Sequence, residues 1–260
     1  YLVEDKIDGL TLLLVSRVIQ GRRVNNLYTR GGGYRGVDVS HLVDYMPLPQ
    51  WIQTGQLDTP TTVSPHLQRD IAIRGEVVMK RDTFNRVGTG FKNARNLVSG
   101  IINAKKQFNP ALARELSFYP YRIITNIGMK PSEEINALQA LGFSVPSPVS
   151  AAHLTREILE NYFKQRKIDA PYEMDGLVMY QDIAADYPVG EAPRHVVAFK
   201  TDTETATTVV KGVTWEASKD RLLKPVVHYD PVTLSGALLQ RASGYNARFI
   251  VDNNIGPGAA

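Results

Sequence analysis

The stretch Glu4-Asp5-Lys6-Ile7-Asp8-Gly9 sets a lysine among acids just ahead of a glycine, and its neighbours decide how it is read. Residues 9–19 are aliphatic and β-branched, Gly21-Arg22-Arg23 makes a turn, and residues 24–29 complete a predicted β-hairpin. Arg30-Gly31-Gly32-Gly33 is too rich in glycine for the inside of an element and reads as a loop. Further strands are predicted at 71–79, which contains Arg74-Gly75-Glu76, and at 118–124, 176–180 and 195–199. Two helices are predicted. Ser132 caps the first, Glu133 and Glu134 suit its positive end, and Ile135, Leu138 and Leu141 form an apolar stripe. Thr155 starts the second, with Ile158, Leu159, Tyr162 and Phe163 on one face. Strands and helices mix without regular βαβ alternation, so the expected class is α+β.

The character changes after Lys200. Strand-like runs at 207–213, 223–228, 237–241 and 249–251 are separated by turn residues, with little helix signal. That pattern predicts a small β-barrel of OB-fold type, incomplete at its last strand or strands. The boundary is placed near residue 202, giving domains 1–201 and 202–260. The chain starts at Tyr1 and stops soon after an apolar stretch, so it reads as a fragment of a longer protein.

With 260 residues, 43% hydrophobic and 22% charged, the composition is that of a globular protein with a core of its own. There is no cysteine, which excludes disulfides and thiolate zinc sites within this stretch and fits a reducing, cytoplasmic setting, in a bacterium or a phage-infected cell. No apolar run approaches the roughly 20 residues of a membrane span. A formal charge of +4 suits a phosphate-bearing partner without singling one out.

For Lys6 to act as a nucleophile its amine must lose a proton, against an unperturbed pKa of about 10.4. Adjacent carboxylates oppose that loss, so a metal ion and a phosphate held by basic residues would have to complete the site. Candidates exist. Arg30 sits where loop amides can approach an anion; Glu76 can hold a ribose hydroxyl or a hydrated metal; Arg95 and Lys200 can neutralise phosphates; Tyr121 can stack on a base. Singly, each has an ordinary role as well: a loop arginine, a paired strand glutamate, a surface cation, a core tyrosine.

Their order carries more. Lys-x-Asp-Gly (6–9), Thr-Arg-Gly-x-Gly (29–33), Arg-Gly-Glu (74–76), Asp-Gly-Leu-Val (175–178) and Ala-Phe-Lys (198–200) form a series that resembles the bacterial-type NAD-dependent DNA ligases. Between these, residues 91–96 are similar to the family's Phe-x-Asn-Pro-Arg-Asn, residues 171–176 also match, and Pro193-Arg194-His195 resembles Pro-Arg-Trp. Lys224-Pro225-Val226 and Asp230-Pro231-Val232 resemble the start of the family's OB-fold. The resemblance implies a nucleotidyltransferase domain of antiparallel sheets with helices, followed by that barrel. It implies NAD and magnesium as cofactors, AMP as a covalent intermediate on Lys6, and nicked double-stranded DNA as partner. By the same likeness Glu4 reads the adenine edge, Ile7 adds a cofactor contact, Tyr121 stacks on the base and Glu76 holds the ribose. Asp8, Arg30, Arg95, Asp175 and Lys200 complete the site, with Arg30 and Arg95 on substrate phosphate and Glu76 and Asp175 as outer-sphere magnesium contacts.

Three departures stand out. Tyr180 replaces a family lysine and removes a cation expected at phosphate; Asn103 replaces an arginine; Ala217-Ser218-Lys219-Asp220-Arg221 replaces Val-Gly-Arg-Thr-Gly in the barrel. Lys105, Lys106 and Arg122 are the candidates to compensate. The segment that captures the nicotinamide mononucleotide half of NAD, and the family's zinc and helix-hairpin-helix modules, are not in this stretch. They are expected from residues outside it or from a second chain, as in a phage or otherwise divergent ligase. Two alternatives compete: an ATP-dependent or RNA-acting nucleotidyltransferase, and a non-catalytic nick-binding subunit with a degraded site.

Overall fold

A computed structural model describes residues 1–31, 36–53, 70–104, 109–125, 128–185, 195–201, 205–218, 221–234 and 237–260. Two compact units emerge, Tyr1–Thr201 and Asp202–Ala260. The first holds two four-stranded antiparallel sheets. In one, β1 (Leu2–Ile7) lies between β6 (Val149–Ser150) and β7 (Met174–Tyr180), and β7 also pairs β8 (Val196–Phe199). In the other the order is β3 (Arg22–Thr29), β2 (Leu10–Ile19), β4 (Ile71–Met79), β5 (Leu116–Ile123).

Side chains alternate across β1, and the two faces serve different ends. Leu2 joins the larger core with Leu12, Leu14, Leu27, Ile73 and Tyr180. Val3 and Ile7 point the other way, into a second cluster with Leu159, Phe163, Tyr172 and Leu177. Full burial of each such aliphatic chain contributes roughly 1.5–3 kcal/mol, so the phase of this strand is strongly fixed. Lys6 falls on the Leu2 face.

The helices of this unit include α1 (Gln50–Gln53), α2 (Arg81–Val87), α3 (Ala94–Ile102), α4 (Pro110–Arg114), α5 (Pro131–Ala140) and α6 (Arg156–Asp169). Only α5 and α6 were expected. The pattern Ala94, Leu97, Val98, Ile101, Ile102 is an amphipathic stripe, capped by Asn93 accepting from the Asn96 amide, and it buries those side chains. At α5 the cap is Lys130, not Ser132. Pro131 takes the first helical position, where a missing N–H is harmless, and Glu133 accepts from the Lys130 amide at 2.8 Å. The Ser132 hydroxyl instead donates to Asp182 at 2.8 Å. Thr155 does cap α6, accepting from Ile158. Ile158 itself is 50% exposed, so it leaves the face formed by Leu159, Tyr162 and Phe163.

The second unit contains a three-stranded sheet, β9 (Val210–Ala217), β10 (Leu223–Leu234) and β11 (Ala237–Ser243), in the order β11-β10-β9. The run at 249–251 is not a strand. It lies in α7 (Ala247–Asp252), which Asn246 caps through the Phe249 amide. A side-chain cap outweighs the β propensity of so short a run. No helix among the described residues is long and apolar enough to cross a membrane.

Candidate active site

Two β-bulges shape the site. Along β1 and β7 the register steps from Lys6↔Gly176 to Ile7↔Met174, so Asp175 is the extra residue. Along β4 and β5 it steps from Arg74↔Arg122 to Gly75↔Pro120, which leaves Tyr121 as the extra residue. A bulge lets a strand turn a side chain out of strict alternation. Both residues so released were named from the sequence. Gly176 permits the close strand approach beside Asp175: a Cβ there would lie 2.3 Å from the Phe199 carbonyl oxygen.

Lys6 Nζ donates to Asp175 Oδ1 at 2.6 Å and Lys200 Nζ to Oδ2 at 2.8 Å. Two ammonium groups on one carboxylate leave a formal surplus of positive charge, suited to an anion. The side chains of Lys6 and Asp175 remain 32% and 38% exposed, so a ligand can reach them. Burial pushes the Asp175 carboxyl up, but the bonds from Lys200 and Lys6 and their charges outweigh it and hold it below the usual range.

Glu76 faces this group from β4. Its Oε1 accepts from the Thr11 hydroxyl at 2.6 Å. Burial raises its pKa to about 6, against the Thr11 bond and the charges of Arg95, Lys6 and Arg30. Tyr121 is half-buried nearby; desolvation and then the Glu76 charge push its phenol up to about 12, and Arg30 acts in the opposite sense. Arg95, from α3, donates to Asp8 Oδ1 at 2.8 Å and to the Gly9 carbonyl at 2.6 Å, so it braces the turn after Lys6. Lys6, Asp8, Arg30, Glu76, Arg95, Tyr121, Asp175 and Lys200 are thus brought together. The rest of the glycine loop (32–33), Lys105, Lys106, Pro193, Arg194, Lys219 and Asp220 lie outside the described residues.

Two expected cofactor residues are placed differently. Ile7 puts its side chain in the second core cluster, away from Lys6, and has only backbone to offer a ligand. Glu4 is on the Lys6 face but 1% exposed. Burial raises its pKa to about 8, opposed by the Arg122 charge and a hydrogen bond from Tyr180; its Oε1 has no hydrogen-bond partner.

Two of the three departures from the family pattern, Tyr180 and Asn103, have local explanations. Tyr180 is buried beside Glu4, and its ring carries the Arg122 guanidinium 3.9 Å from the centroid. Arg122 also lies 3.7 Å from Glu134, whose carboxylate accepts from the Ile123 amide. Arg122 is therefore committed to a buried cluster and does not stand in for the arginine missing at 103. Asn103 ends α3, its side-chain amide donating to the Ser99 carbonyl at 2.9 Å.

No three His, Cys, Asp or Glu side chains gather as a metal cage among the described residues. Asp175 has both oxygens engaged and Glu76 has one. This donor set fits a hydrated magnesium held chiefly by a ligand's phosphates rather than a protein cage. Reading the sequence alone missed Asp5, Arg166 and Tyr172, a buried cluster behind Lys6. Its signal was strand alternation, which sends Asp5 to the opposite face from Lys6.

The NAD-dependent DNA ligase adenylation domain family matches residues 1–204. The chain belongs to that family. It is 34% identical over 260 residues to a DNA ligase of Acanthamoeba polyphaga mimivirus, covering 100% of this chain and 38% of the relative. It is 32% identical over 279 residues to the DNA ligase of Thermotoga maritima, covering 98% of this chain and 37% of the relative. Both viral and bacterial ligases are thus among its relatives, and the chain spans well under half the length of either. A solved structure titled Pmar-Lig_PreS3 shares the fold with a TM-score of 0.55 at 11% identity, over 98% of this chain and 56% of that one.

Proposed function

We propose that the chain is the adenylating core of an NAD-dependent DNA ligase, with Lys6 as nucleophile. The observation that carries this is the placement of Lys6 and Lys200 on the two oxygens of Asp175, facing Glu76 and Tyr121, in a chain of this family. Lys6 Nζ first gives up one ammonium proton to solvent, and the lone pair so freed forms a bond to the α-phosphorus of NAD. The phosphoanhydride P–O bond breaks, its electrons leave with nicotinamide mononucleotide, and a second amine proton goes to solvent. Asp175, held below the usual carboxylate range, orients the amine; Lys200 offers its charge to the phosphoryl oxygens. Glu76 holds the ribose and Tyr121 stacks on the base; Glu4 must first come out of its burial to read the base edge. AMP then passes to the 5′-phosphate of a nick, and the 3′-hydroxyl displaces it to form the phosphodiester.

Magnesium, when bound, neutralises phosphate oxygens; Glu76, and Asp175 more remotely, would hold it through water. Arg30 and Arg95 are proposed to meet substrate phosphate, although Arg95 must first leave Asp8. The unit from residue 202 on is read as part of an OB-fold that grips DNA. The nicotinamide reader would come from residues outside this stretch or from a second chain.

The test is incubation of the protein, with any partner chain, with labelled NAD and magnesium. Label should appear on wild type and vanish in Lys6→Ala. Label from ATP alone would reject the NAD reading.

A further inference from the structure

Asp5 lies at the centre of a buried polar cluster outside the ligand-facing site. Its side chain is fully buried on the face of β1 opposite Lys6. Arg166, on α6, donates Nε to Oδ1 at 3.0 Å and Nη2 to Oδ2 at 2.6 Å, a two-pronged grip. The Tyr172 hydroxyl donates to Oδ2 at 2.7 Å. Tyr172 is itself buried, edge-on to Tyr119 with centroids 4.8 Å apart, and Tyr119 is the register partner of Glu76.

Why β1 needs such an anchor follows from its pairing. On the β6 side only Leu2 and Val3 have strand partners. Among the described residues, β7 is the ladder partner of the strand from Glu4 onward, and that pairing is interrupted by the bulge at Asp175. Tyr172 precedes Asp175 by three residues, and the same connection is fixed from the other side by Arg81, which donates to Glu173 and to the carbonyls of Lys167 and Ala170. One buried carboxylate therefore ties the strand that carries Lys6 to the segment that delivers Asp175.

We propose that Asp5, gripped by Arg166 and Tyr172, is a positioning residue that sets Lys6 against Asp175. Leu2, Val3 and Ile7 fix which face Lys6 takes; Asp5 fixes the height and angle of the strand where its ladder is interrupted. The inference rests on the reading of Lys6 as the nucleophile. It does not require Asp5 to touch any ligand.

The test separates the first chemical step from the last. Lysyl-AMP formation from labelled NAD needs Lys6; sealing of a pre-adenylated nick uses the same fold and DNA surface without Lys6 as nucleophile. Asp5→Asn and Tyr172→Phe should slow lysyl-AMP formation by about tenfold or more through misplacement. KM for NAD should stay within about twofold and pre-adenylated sealing should be unchanged. Arg166→Lys, which keeps charge but loses the fork, should fall between wild type and Arg166→Met. If Asp5→Asn fails to fold, Tyr172→Phe, which removes a single bond, carries the comparison. Equal loss of both steps would make the cluster mere scaffold and overturn the inference, as would unimpaired lysyl-AMP formation in every variant. No adenylate on wild type would instead overturn the functional reading, and the inference with it.

Discussion

Replacing Tyr180 by lysine restores the residue the family pattern calls for, and the structure predicts that it damages the protein. The Tyr180 ring is buried with the Arg122 guanidinium 3.9 Å from its centroid. A lysine ammonium in that space faces Arg122 at about 4 Å, a repulsion of about 4 kcal/mol at an effective dielectric of about 20. The lost cation–π contact adds roughly 1–2 kcal/mol. Glu134 offsets part of this. Glu4, whose carboxyl burial raises to about 8 beside Tyr180, adds to that offset to the extent that the new ammonium draws it back down. The net expectation is a loss of roughly 3–5 kcal/mol, or a Tm lower by on the order of 10 °C for a unit of this size. Removing the partner charge should relieve it: Tyr180→Lys with Arg122→Met should recover most of the loss, since the introduced ammonium can then pair with Glu134. Thermal unfolding of wild type, both single variants and the double variant gives the coupling directly. A Tyr180→Lys protein as stable as wild type, or strictly additive effects, would refute this account of position 180.

Other outcomes follow from the same geometry. Glu4 holds a proton in the folded state that the unfolded chain releases near its ordinary value of 4.5, so stability should fall as pH rises from there to about 8. Glu4→Gln should flatten that part of a Tm-against-pH curve, and an unchanged slope would count against a protonated Glu4. Asp175→Asn should slow lysyl-AMP formation by about a hundredfold, measured in single turnover. Its Tm should barely move, because partly exposed ion pairs contribute only about 0–1 kcal/mol. Gly176→Ala places a Cβ 2.3 Å from the Phe199 carbonyl and 3.1 Å from Lys200 Cγ. It should destabilise by roughly 1–3 kcal/mol and lower adenylate yield together; a silent variant would mean that β7 and β8 tolerate separation.

Much of the site was legible because its residues sit in short motifs with fixed chemistry. Lys6, Glu76 and Lys200 could be named from ordered tripeptides and tetrapeptides, and the strands that carry them from β-branched runs. What the sequence did not reveal has physical causes. The bulges at Asp175 and Tyr121 depend on how two strands pair, and no local pattern specifies that register. Asp5 looked like one more acid opposing the lysine's deprotonation; in the fold it faces away and is gripped by Arg166, a partner 161 residues distant. Tyr180 and Asn103 looked like lost phosphate contacts because a linear motif does not say which way a side chain points. One turns into a buried cluster and the other closes a helix. The helix at 94–102 is legible in its apolar stripe, whereas the helix at 247–252 is concealed by its β-branched content.

Everything proposed for this chain turns on whether Lys6 accepts AMP from NAD. Mass analysis of the protein after incubation with NAD and magnesium, with any partner chain, tests it most directly. One AMP adduct mapped to Lys6 is expected, lost in Lys6→Ala and not formed from ATP. An adduct on another residue, an adduct that survives Lys6→Ala, or none on the wild type would contradict it.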